Sequence, residues 1–437
     1  MNFWHMQLRP GEPIGQERVR QILEAKNLIG LTKDDRNEQS YNNFIHCMAR
    51  GDIVLIREGE IPVALVEVVG DHLHCDQPDG ALDWFEERRE VKVLDWADGN
   101  QLGPFPQPRK TLEKLTNPTD SRKYVEQWHT QIRGRIMIES LSKLIEANKQ
   151  LILTGAPGTG KTFLALDLAA SLLGCRSVEE LKKEEYKERF GFVQFHPAYD
   201  YTDFVEGLKP VNSSNGQIGF ELSDGIFRKF CKEAGKEGNK DQKFVFVIDE
   251  INRADLSRVF GELFYALEPS YRGEKGKVKT QYSSLRAGSD SDFYVPENVF
   301  IIGTMNDIDR SVMSMDFALR RRFAWYEVKA DDKRFEVVMD GVLADKSTLK
   351  EEAQKRYKKL NEAIGGEKAL GEAYQIGPAY FRRLTDYQAE AHIWQIFWER
   401  HLELLIREYV RGMPDEKKLV EKFKNAYWLK PEPAAPT

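Results

Sequence analysis

The fold is decided by one stretch, Gly155-Ala156-Pro157-Gly158-Thr159-Gly160-Lys161-Thr162. It has the full G-x-x-x-x-G-K-[ST] pattern of a phosphate-binding loop. A short apolar run, Leu151-Ile152-Leu153, comes before the loop and predicts a buried strand, while residues 163–169 have a helical pattern. Because strand, loop and helix in this order are the context in which the pattern holds phosphate, the sequence predicts a nucleotide site here.

Each part of this loop has a chemical role. The glycines let backbone N–H groups face a phosphate, and the helix N-terminus adds its positive dipole end. Lys161 is expected to contact the β- and γ-phosphates, and the Thr162 hydroxyl is expected to face Mg²⁺. The predicted nucleotide contacts are Gly155, Ala156, Pro157, Gly158, Thr159, Gly160, Lys161, Thr162 and Phe163. The alternative is a chance glycine-rich turn, which the flanking strand and helix disfavour.

Length and composition limit the remaining interpretations. The 437 residues leave room for two or three domains, and 41% hydrophobic with 31% charged residues is ordinary for a soluble globular protein. A net charge of −6 gives no whole-chain argument for nucleic acid, so any such surface must be local. The four cysteines form no C-x-x-C pair, which argues against a zinc ribbon and fits a reducing compartment. Without a signal peptide or a bilayer-length apolar run, we expect a cytoplasmic protein that does not enter a membrane.

Apolar runs at residues 192–195, 244–249 and 299–304 alternate with helical patterns, which indicates parallel strands covered on both faces. From residue 330 onward, helical patterns dominate. The predicted domains are an N-terminal α+β recognition domain at 1–108, a helical linker at 109–148, an α/β nucleotide-binding domain at 149–329, a helical lid at 330–429 and a disordered tail at 430–437.

A second motif ends the apolar run Phe244-Val245-Phe246-Val247-Ile248 with Asp249-Glu250. A hydrophobic strand that delivers this acidic pair is typical of a Walker B segment. Asp249 is expected to hold Mg²⁺, and Glu250 to polarise the attacking water. The alternative is an acidic pair that is merely solvated, which is disfavoured downstream of an intact phosphate-binding loop.

Two further candidates follow the last strand. Asn306 is placed to bond the γ-phosphate or orient water without adding negative charge, although an Asn at a strand end is otherwise a common turn residue. The run Arg320-Arg321-Arg322 is placed to reach a neighbouring subunit's nucleotide, because guanidinium groups match phosphate geometry. A solvated basic face is the alternative for this run.

Together these segments resemble AAA+ nucleotide hydrolases, and more narrowly the McrB-like GTPase subunits of modification-dependent restriction systems. The resemblance covers roughly residues 130 to 400. It is carried by Phe195-His196-Pro197-Ala198-Tyr199-Asp200-Tyr201, Asp249-Glu250-Ile251-Asn252-Arg253-Ala254, Phe260-Gly261-Glu262-Leu263, Met305-Asn306 with Asp309-Arg310, and Asp316-Phe317-Ala318-Leu319-Arg320-Arg321-Arg322-Phe323. In one place the chain departs from the family, since Gly377-Pro378-Ala379-Tyr380-Phe381 lacks the His that is expected in the lid.

The resemblance implies a hexameric ring that hydrolyses GTP with Mg²⁺ and drives a McrC-like endonuclease on DNA with modified cytosine. It implies that Asn306, Asp309 and Arg310 position the hydrolytic water, beside Glu250 and an arginine finger from Arg320 or Arg321. GTP follows from the resemblance alone, and ATP is the default of most AAA+ proteins. No nuclease motif is visible in this chain.

Other hypotheses remain open. A MoxR-like or dynein-related ATPase that remodels proteins is the main rival, and the presence of Glu250 argues against a non-hydrolysing scaffold. The hairpin at residues 51–70 weakly resembles PUA-like domains such as EVE and YTH, which bind modified bases. Trp4, Trp84, Phe85 and Trp96 could contribute to an aromatic base pocket, but core packing is favoured for any one of them. Residues 212–220 and the basic stretch at 271–279 are predicted loops that face either a ring pore or plain solvent.

Overall fold

A computed structural model describes residues 1–8, 16–32, 38–78, 85–99, 102–106, 110–116, 119–212, 218–286, 288–308, 320–339, 342 and 347–429. The chain forms two compact units. The first is Met1–Ile136 with Asp340–Glu351, and the second is Met137–Met339 with Glu352–Thr437. The predicted tail at 430–437 lies outside the described residues. Within the described part of the chain, none of the helices has the length and apolar character needed to cross a bilayer.

The first unit is built on a six-stranded sheet in the order β2-β5-β4-β3-β1-β6. The strands are β1 (Phe3–Gln7), β2 (Leu28–Leu31), β3 (Ile53–Glu58), β4 (Ile61–His74), β5 (Glu87–Trp96) and β6 (Leu112–Lys114). The helices are α1 (Gln16–Lys26), α2 (Glu38–Asn42) and α3 (Asp120–Asn148), the last of which continues into the second unit. β1 pairs with β3 in parallel, whereas the other neighbours are antiparallel. α1 buries Val19, Ile22 and Leu23, the stripe that its helical spacing predicts.

The helical linker predicted at 109–148 is shorter in the structure. Leu112–Lys114 forms β6, which pairs with β1 in the first sheet, and the helix begins only at Asp120. The N-terminal sheet therefore extends beyond the predicted boundary at residue 108, and the PUA-like assignment of this unit stays a prediction.

The second unit contains a five-stranded, fully parallel sheet in the order β15-β7-β14-β11-β8. Its strands and those of two small hairpins are β7 (Gln150–Thr154), β8 (Phe190–Gln194), β9 (Glu206–Asn212), β10 (Ile218–Asp224), β11 (Phe244–Asp249), β12 (Val278–Lys279), β13 (Asp292–Phe293), β14 (Val299–Thr304) and β15 (Ala324–Glu327). The helices are α4 (Lys161–Leu173), α5 (Tyr201–Phe204), α6 (Ile226–Ala234), α7 (Leu256–Phe260), α8 (Leu263–Leu267), α9 (Asp332–Val338), α10 (Ser347–Gly365), α11 (Ile393–Phe397), α12 (Glu403–Val410) and α13 (Glu416–Tyr427).

Both faces of this sheet are covered. In β11, Phe244 and Phe246 enter one hydrophobic cluster, while Val245 and Val247 enter the cluster on the opposite face. A strand that is buried on both sides reads as a continuous apolar run, which is why β11 was recognisable from sequence. The parallel α/β core with helices after its last strand confirms the predicted fold class.

Candidate nucleotide-binding site

The phosphate-binding loop joins β7 to α4 at the carboxyl end of the parallel sheet. Gly155 and Gly158 have φ angles of 141° and 75°, a region that side chains with a Cβ rarely adopt. A Cβ on Gly155 would lie 2.5 Å from the carbonyl oxygen of Val328, and one on Gly158 would lie 2.7 Å from the ring of Tyr380. Both positions therefore need glycine for backbone conformation and for space.

Lys161 is the cation of the loop. Its Nζ donates to the carbonyl oxygens of Gly155 at 2.9 Å and Ala156 at 2.8 Å, so the ammonium lies inside the curve of the loop. Burial lowers the pKa of Lys161 to about 8, while nearby carboxylates, first among them Asp307, oppose this shift. An ammonium held in this way is placed for phosphate, because it has already lost most of its water.

The structure brings Asp249 and Thr162 together across 87 positions of sequence. The Thr162 hydroxyl donates to Asp249 Oδ1 at 2.7 Å. The Thr304 hydroxyl donates to the same oxygen at 2.6 Å, and Gln194 Nε2 donates to Oδ2 at 3.2 Å. Thr304 and Gln194 had no predicted role, yet they fix the carboxylate from the ends of β14 and β8.

The donor set suits Mg²⁺. A hydroxyl and a carboxylate are hard oxygen ligands, and Mg²⁺ at nucleotide sites takes one or two carboxylates with waters and phosphate oxygens. The part of the chain that the structure describes holds no cluster of three or more His, Cys, Asp or Glu side chains suited to a metal. Thr162 and Asp249 thus fit an ion that arrives with a nucleotide, rather than an all-protein metal cage.

Glu250 lies immediately beyond this pair with a left-handed backbone, φ 52°. Its Oε1 accepts from Asn306 Nδ2 at 2.8 Å, and its Oε2 accepts from Arg253 Nε at 3.2 Å. The Glu250 backbone N–H donates to the Thr304 hydroxyl at 3.2 Å. A non-glycine residue in this region is costly, and such strain is common where a side chain must be aimed at a site. Carboxylate and amide are therefore oriented together, as a pair that acts on one water requires.

The segment after Asn306 is described only in part. The Asp307 carboxylate accepts a hydrogen bond from the Thr154 hydroxyl, which ties this segment to the strand before the loop. The side chain of Asn252 donates to the backbone carbonyl of Asn306 at 3.3 Å. Asp309 and Arg310 lie outside the described residues, so their water-positioning role stays a prediction.

The arginine run divides into two kinds of side chain. Arg320 and Arg321 are exposed, whereas Arg322 is half-buried and lies 3.6 Å from the Glu268 carboxylate. The Arg320 guanidinium lies 5.2 Å from the centre of the Trp325 ring. Arg320 and Arg321 are therefore the two members of the run that are accessible at the surface.

The helical region after β15 contacts the phosphate-binding loop directly. The Gly377 N–H donates to Pro157 O at 2.9 Å, and the Ala379 N–H donates to Gly158 O at 2.9 Å. Pro378, which stands where a lid His was expected, thus belongs to a segment that binds the loop through its backbone.

Arg334 makes the second connection and was missed from sequence. Its Nε donates to Thr159 O at 2.7 Å, and its Nη2 donates to Gly160 O at 3.0 Å. Asp331 caps α9 by accepting from the Arg334 N–H at 2.8 Å. Asp331 is a sequence signal for the start of a helix, but nothing local indicates that Arg334, three residues later, contacts the loop.

The second unit is similar in sequence to known proteins. Residues 150–323 match the family model described as an AAA domain of the dynein-related subfamily. The second unit contains an AAA domain. The chain is 41% identical over 247 residues to the type IV methyl-directed restriction enzyme EcoKMcrB subunit of Escherichia coli K12, covering 56% of this chain and 50% of that protein. It is 28% identical over 229 residues to the type II restriction enzyme BsuMI component YdiS of Bacillus subtilis 168, covering 46% of this chain and 63% of that protein.

The similarity of this chain to an McrB subunit confirms the resemblance drawn from its motifs. The chain spans about half the length of the first curated relative and less than two thirds of the second. The match therefore covers only part of each relative.

Among the N-terminal aromatic residues, core packing is confirmed for two of the four candidates. Trp4 and Phe85 are fully buried in the core of the first unit, and Trp4 Nε1 donates to Asp52 at 2.9 Å, so neither can stack on a base. Trp84 lies outside the described residues. Trp96 lines a cavity of about 530 Å³, where the Arg20 guanidinium lies 4.5 Å from its ring centre.

One correction concerns Arg272, which belongs to the basic stretch at 271–279 that was predicted as a mobile loop. Arg272 is 1% exposed and donates to Leu267 O at 3.1 Å, so it is a structural residue and cannot meet a partner in a pore. The hairpin tip at 213–217, within the other predicted loop, lies outside the described residues.

Proposed function

We propose that this protein is the nucleotide-hydrolysing motor subunit of a restriction system, with GTP as its preferred substrate. The observation that carries the proposal is the pairing of Asp249 with Thr162 and of Glu250 with Asn306 at the end of one parallel sheet. A scaffold that binds nucleotide without hydrolysing it needs only the pairing of Asp249 with Thr162. The second pair places a carboxylate where it can take a proton from water beside the γ-phosphate.

The roles follow from these positions. Lys161 neutralises phosphate charge, and Glu250 accepts the proton of the attacking water while Asn306 holds that carboxylate in orientation. Thr162 and Asp249 would hold Mg²⁺, which supplies charge neutralisation between the β- and γ-phosphates. Arg253 Nε lies 3.2 Å from the second oxygen of Glu250 and helps to hold the carboxylate in place.

The substrate and partners rest on the likeness to restriction proteins. Both curated relatives are named as parts of restriction enzymes, and the Escherichia coli one as methyl-directed. We propose that the first unit binds DNA with modified cytosine and that a McrC-like endonuclease makes the cut. Preference for GTP over ATP is supported by the resemblance alone, since the loop contacts phosphates and not the base.

The second candidate is an ATPase that remodels protein complexes. The description of the matching family as dynein-related favours it. The two candidates differ in the nucleotide used and in the response to DNA, so one experiment separates them.

Hydrolysis is proposed to require a ring, with six subunits as the expected number. Arg320 and Arg321 are exposed, so an arginine from the next subunit would complete the site. An arginine finger supplied by a neighbouring subunit raises the rate of hydrolysis by about 10³–10⁵-fold. Arg321→Ala and Lys161→Ala proteins, each inactive alone, should regain activity when mixed, because an intact loop then meets an intact arginine.

The deciding experiment measures hydrolysis of GTP and ATP side by side, with no DNA, unmodified duplex and duplex that contains 5-methylcytosine. Faster GTP hydrolysis that rises with modified duplex supports the restriction motor. Faster ATP hydrolysis that is indifferent to both duplexes supports the remodelling ATPase.

A further inference from the structure

Arg272 is a fully buried arginine that contacts groups from three separate parts of the second unit. Its Nε donates to Leu267 O at 3.1 Å and its Nη1 to Val299 O at 3.4 Å, while its Nη2 donates to the side-chain oxygen of Gln150. Among the described residues these acceptors are neutral oxygens, and burial lowers the pKa of Arg272 to about 10. A buried cation without a carboxylate is costly, so an arrangement of this kind calls for an explanation.

Gln150 connects Arg272 with the arginine run at residues 320–322. The amide is fully buried, and its Nε2 donates to Leu267 O at 2.8 Å and to Arg322 O at 2.7 Å. Gln150 is also the first residue of β7, the strand that leads into the phosphate-binding loop. One side chain thus connects the loop's own strand with the backbone of residue 322.

A second side chain holds the other end of the run. Trp325 Nε1 donates to Arg320 O at 2.8 Å. The carbonyl groups of residues 320 and 322 are therefore both held by side chains, while Arg321 between them is exposed. The backbone is fixed on each side of the residue whose side chain extends outward.

We infer that Gln150 and Arg272 are positioning residues that set the backbone from which the trans-acting arginine extends. This inference rests on the proposed arginine finger. A finger acts only in the correct geometry, and a displacement of about 1 Å can cost about 10²-fold in rate. A long exposed side chain cannot set its own position, so the precision has to come from its backbone, which the Gln150 amide holds.

Gln150→Glu tests the role of the amide donor. The new carboxylate still accepts from Arg272 and stays ionised beside it, so the buried cation keeps a partner. The Nε2 donor to Arg322 O is lost, and a carboxylate oxygen now faces that carbonyl. We expect nucleotide affinity close to that of the wild type and hydrolysis lowered about 10²-fold. Trp325→Phe is a milder second variant, because it keeps an aromatic ring, although a smaller one, and removes the donor to Arg320 O.

The decisive readout is mixing with the Lys161→Ala protein. A Gln150→Glu subunit has an intact loop, and a Lys161→Ala subunit has an intact arginine run, so mixed rings should recover activity. Damage to the loop that follows β7 would not be rescued in this way. The matched control is Asn298→Asp, which makes the same amide-to-acid change where Nδ2 donates to the carbonyls of residues 234, 239 and 242. It should lower the melting temperature without lowering hydrolysis per folded ring.

The outcomes distinguish the trans-acting arginine finger from the positioning role of Gln150 and Arg272. If Arg321→Ala with Lys161→Ala shows no rescue, the trans finger is wrong and the positioning role falls with it. If that pair is rescued but Gln150→Glu and Trp325→Phe hydrolyse normally, or lose activity without rescue, only the positioning role is overturned. Equal loss of hydrolysis in Asn298→Asp would also overturn it, since any amide clamp would then have the same effect.

Discussion

Gly377→Ala should release the helical region from the phosphate-binding loop. A Cβ at this position would lie 2.0 Å from the carbonyl carbon of Gly158 and 2.2 Å from the Thr159 nitrogen. Carbon atoms pack at about 3.5–4.0 Å, so the two segments would have to separate by about 1.5 Å. Because the obstructing atoms are backbone, no side-chain rotation can relieve the contact.

The separation breaks hydrogen bonds that are now 2.9 Å long, from the Gly377 N–H to Pro157 O and from the Ala379 N–H to Gly158 O. Each is worth about 1 kcal/mol, and overpacking adds about 1–3 kcal/mol, so the variant should be less stable by about 3–5 kcal/mol. The loop would also lose the support that holds its carbonyl groups. We expect a melting temperature lower by roughly 5–10 °C and nucleotide affinity reduced at least about tenfold, equivalent to 1.4 kcal/mol.

The assays are thermal unfolding and titration with a fluorescent nucleotide analogue. Gly238→Ala is the matched control in the same unit, because a Cβ there meets nothing within 4 Å. It should leave both quantities close to the wild type. A Gly377→Ala protein with unchanged melting temperature and affinity would refute the reasoning, since it would mean that the helical region does not rest on the loop.

Three further predictions concern the site and the first unit. Glu250→Gln should bind nucleotide normally and lose turnover, because an amide cannot accept the proton of water; normal turnover would rule out Glu250 as the base. Since the pKa of Lys161 is lowered to about 8, the lysine of the nucleotide-free protein loses its proton above that pH. In the nucleotide complex, the phosphate charge keeps the lysine protonated. Nucleotide affinity is measured at pH 7 and pH 9, and it should fall by up to about tenfold per pH unit above 8. The Lys161→Arg protein should show no such fall. A wild-type affinity that is the same at both pH values would contradict the assignment of Lys161. Deletion of residues 1–119, which removes the whole first sheet, should abolish discrimination of methylated duplex in a gel-shift assay and leave basal hydrolysis; retained discrimination would place recognition elsewhere.

The parts of the site that the sequence could predict are those made by neighbours along the chain. The loop at 155–162 and the strand that ends in Asp249-Glu250 each carry their context within about ten residues, so strand, turn and side chain are read together. The pairing of Asp249 with Thr162 followed from topology, because parallel strands bring their carboxyl ends to one edge of a sheet.

Contacts between distant segments could not be predicted in this way. Arg334 binds the loop across 175 positions and Gln150 binds Arg322 O across 172, and neither residue stands in a pattern that indicates its partner. Within the stretch at 271–279, Arg272 was misjudged for the same reason, because basic residues suggest a solvated loop and nothing local shows that this one is buried. Lys275, Lys277 and Lys279 are exposed, as a solvent-facing stretch requires. β6 was missed because three residues carry little propensity, and pairing with β1 decides their conformation.

The loop has two sets of backbone groups with different partners. Its N–H groups are assigned to phosphate, whereas four consecutive carbonyl groups, from Pro157 to Gly160, accept from residues 334, 377 and 379 of the helical region. A peptide plane that turns its N–H toward a ligand must turn its carbonyl at the same time, because the bond is rigid. Phosphate binding at one side of the loop is therefore coupled to the helical region at the other side. This is why Gly377, which contacts no nucleotide in our assignment, is expected to control nucleotide affinity.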